Sequence, residues 1–164
     1  MELTQATIWG VRAGKGGEAD TLFLTNCVVA LGLEKVGKLQ AQSDRQSIKR
    51  AIVASYPGTS AIALARNAGQ LFHFLHDIRT DDLVVYPSRI DGAVHIGVIQ
   101  GPYYYDFSLL AEYPHRRPVK WLVSAPRDRF SQAALFEMGA ATTLFRIRRH
   151  ADEFYEAARK DKWK

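Results

Sequence analysis

Cysteine is nearly missing from this chain. Cys27 stands alone, so no intrachain disulfide can form, and a reducing compartment, the cytoplasm, is expected. No apolar run approaches the ~20 residues that a membrane-spanning helix needs, so no membrane partner is expected. The opening MELTQATIWG has no charged n-region leading into an apolar stretch, so no signal peptide is expected. Catalytic signatures are lacking as well. No serine sits in Gly-x-Ser-x-Gly, and neither His-Glu-x-x-His nor Cys-x-x-Cys occurs. Gly14-Lys15-Gly16-Gly17-Glu18 has neither the spacing nor the hydroxyl of a phosphate-binding P-loop. No acid-x-lysine pair of the kind that holds a nuclease metal falls on an expected strand. His73 and His76 have helical metal-ligand spacing, but no cysteine or acidic partner completes a set, and Asp77 is expected to face away from His73. Together these absences point to a domain that reads a ligand and not to an enzyme, and no cofactor or metal is expected.

What is present fits one domain spanning residues 1–164, with residues 150–164 as a C-terminal helix and tail. Of its 164 residues 47% are hydrophobic, enough for a real core. The formal net charge of +5 is compatible with a polyanionic partner without requiring one. Cys27, ahead of Val28-Val29-Ala30-Leu31, reads as a buried thiol.

The centre of the chain is residues 81–122. Strands are expected at Leu83–Tyr86, Val94–Gln100 and from Arg117 through Trp121 and Leu122. Asp91-Gly92 closes the first hairpin, because glycine accepts positive φ without cost. Gly97, inside a strand, marks a strong bend or a bulge. Before this centre, Ala6–Arg12 reads as a strand with Trp9 and Val11 on one side and Ile8, Gly10 and Arg12 on the other. A short helix over Glu18–Asn26 and a strand over Cys27–Leu31 follow, then a loop from Leu33 to Leu39. Ser43, with Gln46 three residues on, opens the next helix as a capping box. Ile48, Ile52 and Val53 give it an apolar face, and Tyr56-Pro57-Gly58 ends it. The longest helix runs from Ser60 to Ile78 on the stripe Leu64, Ala68, Leu71, Leu75 and Ile78, with Asn67 and Gln70 beside that stripe. Gly69 allows close packing of another element. After the centre come a helix over Gln132–Met138, a strand over Ala141–Arg148 and a polar helix over Ala151–Lys162 carrying Phe154 and Tyr155. The fold class is therefore mixed α/β (α+β), built on a strongly curved sheet or partial β-barrel with flanking helices.

Aromatic and basic residues interleave through Tyr103-Tyr104-Tyr105, Tyr113, His115, Arg116, Arg117, Lys120, Trp121, Arg127 and Arg129. Aromatic faces stack bases and arginines neutralise phosphates, so this mixture suits a nucleic-acid surface. Core or cross-strand packing is the alternative use of each tyrosine.

Ordered segments then carry a resemblance. They are Ile8–Gly14 with Gly17-Glu18, Val29–Gly32, Ala68–Phe74, Asp82–Val85, Ile96–Tyr103, Tyr113–Leu122, Ser131–Ala133 and Thr143–Ile147. In this order they resemble the N-terminal domain of Mrr-type restriction endonucleases, itself similar to the EVE and YTH modules of the PUA-like superfamily. The resemblance implies a PUA-like, EVE-like curved sheet and a modified-base reader. Its partner would be double-stranded DNA containing methyl-, hydroxymethyl- or glucosyl-cytosine, with the base flipped into an aromatic-lined pocket. It also implies a nuclease domain in the parent protein of a restriction system, with this chain as the isolated recognition part. RNA, or a protein partner with no nucleic acid at all, are the alternatives. By fold analogy the pocket lies between the end of the first strand and the loop after Leu83–Tyr86. The expected base-binding residues are Trp9 or Tyr86 for stacking, Arg12, Ser88 and the backbone near Gly14 for polar contacts, and Leu33 as a wall where the family often has tryptophan. Lys15, Arg89, Arg116 and Arg117 are expected on the nucleic-acid backbone.

Overall fold

The computed structural model describes residues 5–140 and 142–160. Its strands are β1 (Ile8–Val11), β2 (Val28–Leu31), β3 (Leu83–Pro87), β4 (Val94–Ile99), β5 (Tyr104–Tyr105), β6 (His115–Ala125) and β7 (Leu144–Ile147). Its α-helices are α1 (Asp20–Thr25), α2 (Arg45–Ser55), α3 (Ala61–Phe72), α4 (Gln132–Met138) and α5 (Ala151–Lys160). The strands form one sheet in the order β2-β6-β4-β3-β1-β7, with β5 attached to β6. Among the described residues only β1 and β3 pair in parallel, and the other ladders are antiparallel. The sheet curls into a half-barrel with helices around it, consistent with the PUA-like curved-sheet class expected above.

Gly97 is one source of the curl. The β4–β6 register shifts between Ile96 and Gly97, which is the expected bulge. A Cβ there would lie 2.6 Å from Val119 and 2.8 Å from both the Lys120 carbonyl and the Trp121 ring, so only glycine lets β6 cross so closely.

The sheet is buried on both faces. Trp9 and Val11 enter one core with Phe23, Leu71, Phe74 and Tyr86, under α1 and α3. Ile8 enters the other with Leu83, Val85, Ile96, Met138 and Phe154, under α4 and α5. The expected division of β1 between two sides therefore holds, and both sides are core. In α5, Phe154, Ala157 and Ala158 are fully packed, so this helix is amphipathic and not simply polar.

Several sequence expectations need correction. The capping box of α2 is Asp44 with Ser47, one residue later than expected: Asp44 Oδ1 accepts the Ser47 N–H at 2.8 Å and Ser47 Oγ accepts the Asp44 N–H at 3.0 Å. Ser43 instead accepts from the Gln40 N–H and closes the preceding turn. Val53 is half exposed, because it lies off the Ile48–Ile52 stripe. The long helix changes to a π turn over His73–Asp77, and Asp77 meets His73 Nδ1 because residues four apart on a helix share a face. Cys27 is exposed. It is the left-handed turn residue (φ 54°) ahead of β2, not the first residue of the strand, so its side chain leaves the core. Ala141 and residues 161–164, counted above in the last strand, helix and tail, lie outside the described residues.

Candidate nucleic-acid interface

The end of β1 and the glycine turn that follows it form a rim with a cleft on each side. Gly14 (φ 86°) and Gly17 (φ 83°) take backbone conformations that other residues resist, which lets the chain fold back from Ala13 to Ala19. Gly14 lines both clefts.

The first cleft, about 260 Å³, is lined by Arg12, Ala13, Gly14, Gly17, Tyr86, Pro87, Arg89, Arg127, Met138 and Gly139. It lies between the end of β1 and the β3–β4 loop, where fold analogy put the pocket. Three arginines and no carboxylate line it, so its lining is positively charged. Arg12 donates from Nη2 to the Ala140 carbonyl, while its Nε is buried without a protein partner. Arg89 and Arg127 are exposed at the mouth. Beneath, Tyr86 and Ser88 both donate to Asp20 Oδ1, the serine at 2.6 Å, and Ser88 Oγ accepts from the Ile90 and Asp91 N–H groups at 3.1 Å each. Burial, and the carboxylate it faces, push the Tyr86 phenol pKa far up, so it stays a hydroxyl donor.

The second cleft, about 230 Å³, is lined by Gly14, Lys15, Leu31, Gly32, Leu33, Asn67, Gln70, Tyr113 and Thr143. Like the first, it is smaller than the ~300–1,000 Å³ sites that hold drug-sized ligands. Asn67 and Gln70 lie three apart on α3 and so share one helix face; each carries both a donor and an acceptor. Leu33 is an apolar wall held in the left-handed region (φ 59°), a conformation costing about 1–2 kcal/mol. What holds it is a buried relay. The Leu39 N–H donates to Tyr103 Oη (3.1 Å), which faces His115 Nδ1 (2.8 Å), while His115 Nε2 faces the Leu33 carbonyl (3.2 Å). A carbonyl only accepts, so Nε2 carries the proton, and Nδ1 accepts from Tyr103. His115 is fully buried and desolvation lowers its pKa to about 4, which keeps it in this neutral form.

A latch crosses the rim between the clefts. Tyr113 Oη donates to Glu18 Oε2 at 3.0 Å, and Glu18 Oε1 accepts the Gly16 N–H at 2.8 Å. These bonds, the backbone one first, hold the Glu18 carboxyl below its usual range, while burial and then Glu18 push the tyrosine up to about 12.

The expected site residues divide. Arg12, Gly14, Tyr86 and Arg89 line the arginine cleft; Gly14, Lys15 and Leu33 line the amide cleft. Trp9 joins neither. It is 3% exposed, donates from Nε1 to Asp82 Oδ2 at 3.0 Å, and belongs to the core, so it offers no face for a flipped base. Tyr86 is likewise packed edge-on against Phe23, making it a floor and not a stacking platform. Ser88 is spent on its turn and on Asp20. Arg116 and Arg117 are not on the surface at all: they are 2% and 3% exposed. Arg116 donates to the Tyr113, Ser108 and Leu110 carbonyls; Arg117 donates to those of Gly101 (3.0 Å) and Phe74 (2.9 Å), and burial lowers its pKa to about 10. Both are internal struts: this end of β6 pairs with β2 and β5, and both guanidinium groups turn onto backbone carbonyls. Missing from the expected site were Asn67, Gln70 and Thr143, along with the use of Tyr113 and Arg127. The visible signal was a pair of amides on the shoulder of an otherwise apolar helix stripe.

The fold and these clefts define a small half-barrel domain with an amide pocket beside an arginine cleft. Residues 9–148 match the model of a family described only as a domain of unknown function, DUF8426, and the chain belongs to that family. The match spans both clefts and stops before α5. No curated protein and no solved structure matches the chain. Among the described residues no helix is long and apolar enough to cross a membrane, and no group of three His, Cys, Asp or Glu side chains is placed to hold a metal ion.

Proposed function

We propose that this domain reads a modified cytosine in DNA, holding the flipped base in the amide cleft and an adjacent phosphate in the arginine cleft. The observation that carries this reading is the shared rim: a small pocket with two amides, and a carboxylate-free cleft with three arginines, meet at Gly14. Unstacking a base costs a few kcal/mol. Stacking on an aromatic such as Tyr113 returns roughly 1–3 kcal/mol. Asn67 and Gln70 supply donors and acceptors for the Watson–Crick edge, and Leu33 gives a 5-substituent an apolar neighbour. An effector such as a nuclease domain would then act where the reader binds.

The test separates the two clefts. Gln70→Ala should cost about 1–3 kcal/mol, a 5- to 150-fold loss, on the preferred modified duplex and little on unmodified DNA. Arg127→Gln should weaken all duplexes alike and reduce the dependence of log K on log salt by about 0.9. Identical behaviour of the two variants on all probes would refute the assignment.

A further inference from the structure

A third cleft, about 500 Å³, lies at the opposite end of β1 and is lined by Trp9, His73, Asp77, Arg79, Arg146 and Arg148 among others. Among the described residues none lines both it and the amide cleft, but neighbouring residues of the same two elements line each. Asn67 and Gln70 of the amide cleft and His73 and Asp77 of this one recur at spacings of three, three and four, so they form one stripe along α3 and its π turn. The segment leading into and through β7 serves both: Thr143 lines the amide cleft, and Thr142, Leu144, Arg146 and Arg148 line the third. The stripe is about 15 Å long at 1.5 Å per residue. Strand β7 stands at the end of the sheet order, so its far side is not paired within the sheet.

Charge is distributed unequally along this groove. Both carboxylates in the third cleft are already engaged: Asp82 Oδ2 accepts from Trp9 Nε1 and from the Arg79 N–H at 2.8 Å, and Asp77 holds His73. Arg79, Arg146 and Arg148 are exposed. Arg146 is pre-positioned, its guanidinium 5.3 Å from the centre of the Trp9 ring. The turn beyond β7 is held by Glu137, which accepts the N–H groups of Arg148, Arg149 and His150 at 2.8–2.9 Å, so the arginines project from a rigid strand end.

We infer that the groove between α3 and β7 is a track for the phosphodiester backbone of the strand that carries the captured base, with Arg79, Arg146 and Arg148 as its phosphate contacts. This rests on the base-reading proposal for the polarity of the path, from amide cleft to third cleft, while the anion track stands on the arginines themselves. Trp9 serves here as the platform under Arg146 and not as a base-stacking surface.

The experiment measures duplex binding against salt for the full chain carrying Arg146→Gln with Arg148→Gln, and for a control carrying Arg50→Gln with Lys120→Gln, both exposed and outside the three clefts. Loss of two phosphate contacts should lower the slope of log K against log salt by about 1.4–1.8, at 0.7–0.9 per contact, and leave the ratio between modified and unmodified DNA unchanged. An unchanged slope, or an equal change in the control, would overturn the track. A lowered slope in a protein that shows no preference for modified DNA would uphold the track and reject base reading, so the two proposals fail separately.

Discussion

Protonating His115 should loosen the wall of the amide cleft and the fold with it. In the native state the imidazole must accept at Nδ1 from Tyr103 while Nε2–H serves Leu33. An imidazolium donates at both nitrogens, so protonation breaks the Tyr103 bond and places a charge in a fully buried position. The folded pKa of about 4 lies below the ordinary 6.5. The unfolded chain therefore binds the proton first, and stability is fully present above about pH 6.5 and lost as pH falls toward 4. Integrating that difference gives about 2 kcal/mol lost between about pH 7.5 and pH 5, and about 3 kcal/mol by pH 4. Urea unfolding across that range reads the loss directly, and His115→Gln, which cannot titrate there, should lack it. NMR titration of the His115 ring supplies a check that does not depend on the variant folding. A midpoint near 6.5, or parallel stability profiles for the two proteins, would refute the relay.

Three further outcomes follow from the buried contacts. Arg117→Ala should lower unfolding stability by about 3 kcal/mol by leaving the Gly101 and Phe74 carbonyls without their charged donor, measured by chemical denaturation. Asp20→Ala should cost about 2–4 kcal/mol, because the Tyr86 and Ser88 hydroxyls lose their common acceptor beneath the arginine cleft; thermal unfolding checks it. Gly14→Ala should abolish selective binding in a folded protein, since its Cβ would lie 1.7 Å from Glu18 Oε2 and 2.4 Å from Tyr113 Oη at the shared rim. Circular dichroism with duplex binding separates that effect from unfolding.

Much of the fold was legible because its signals are local. Ser60 caps the helix it opens, α2 ends at Tyr56, and the Gly97 bulge was visible as a glycine inside an apolar run. Residues whose role depends on distant partners were not legible. Arg116 and Arg117 look like a surface pair in a basic, aromatic segment, and their burial follows only from the pairing of this end of β6 with β2 and β5 and from the distant carbonyls that their guanidinium groups meet. Trp9 was placed correctly on a strand face, but that face is filled by Phe74 and Leu71, which lie more than 60 residues away. The pocket region was legible through Arg12, Gly14, Leu33 and Arg89. Its amides were not, because an Asn and a Gln on a helix become a binding surface only when a turn 50 residues earlier comes to face them.

The most direct measurement is fluorescence anisotropy of the wild-type chain at about 0.1 M salt, since an affinity without a stated salt has no meaning for a charged ligand. One duplex would carry unmodified, methyl-, hydroxymethyl- or glucosyl-cytosine, with the RNA counterpart alongside. Base reading predicts tighter binding to one modified DNA duplex, with that preference erased by Gln70→Ala. Equal binding to every probe, or a preference that survives Gln70→Ala, would contradict a base held in the amide cleft.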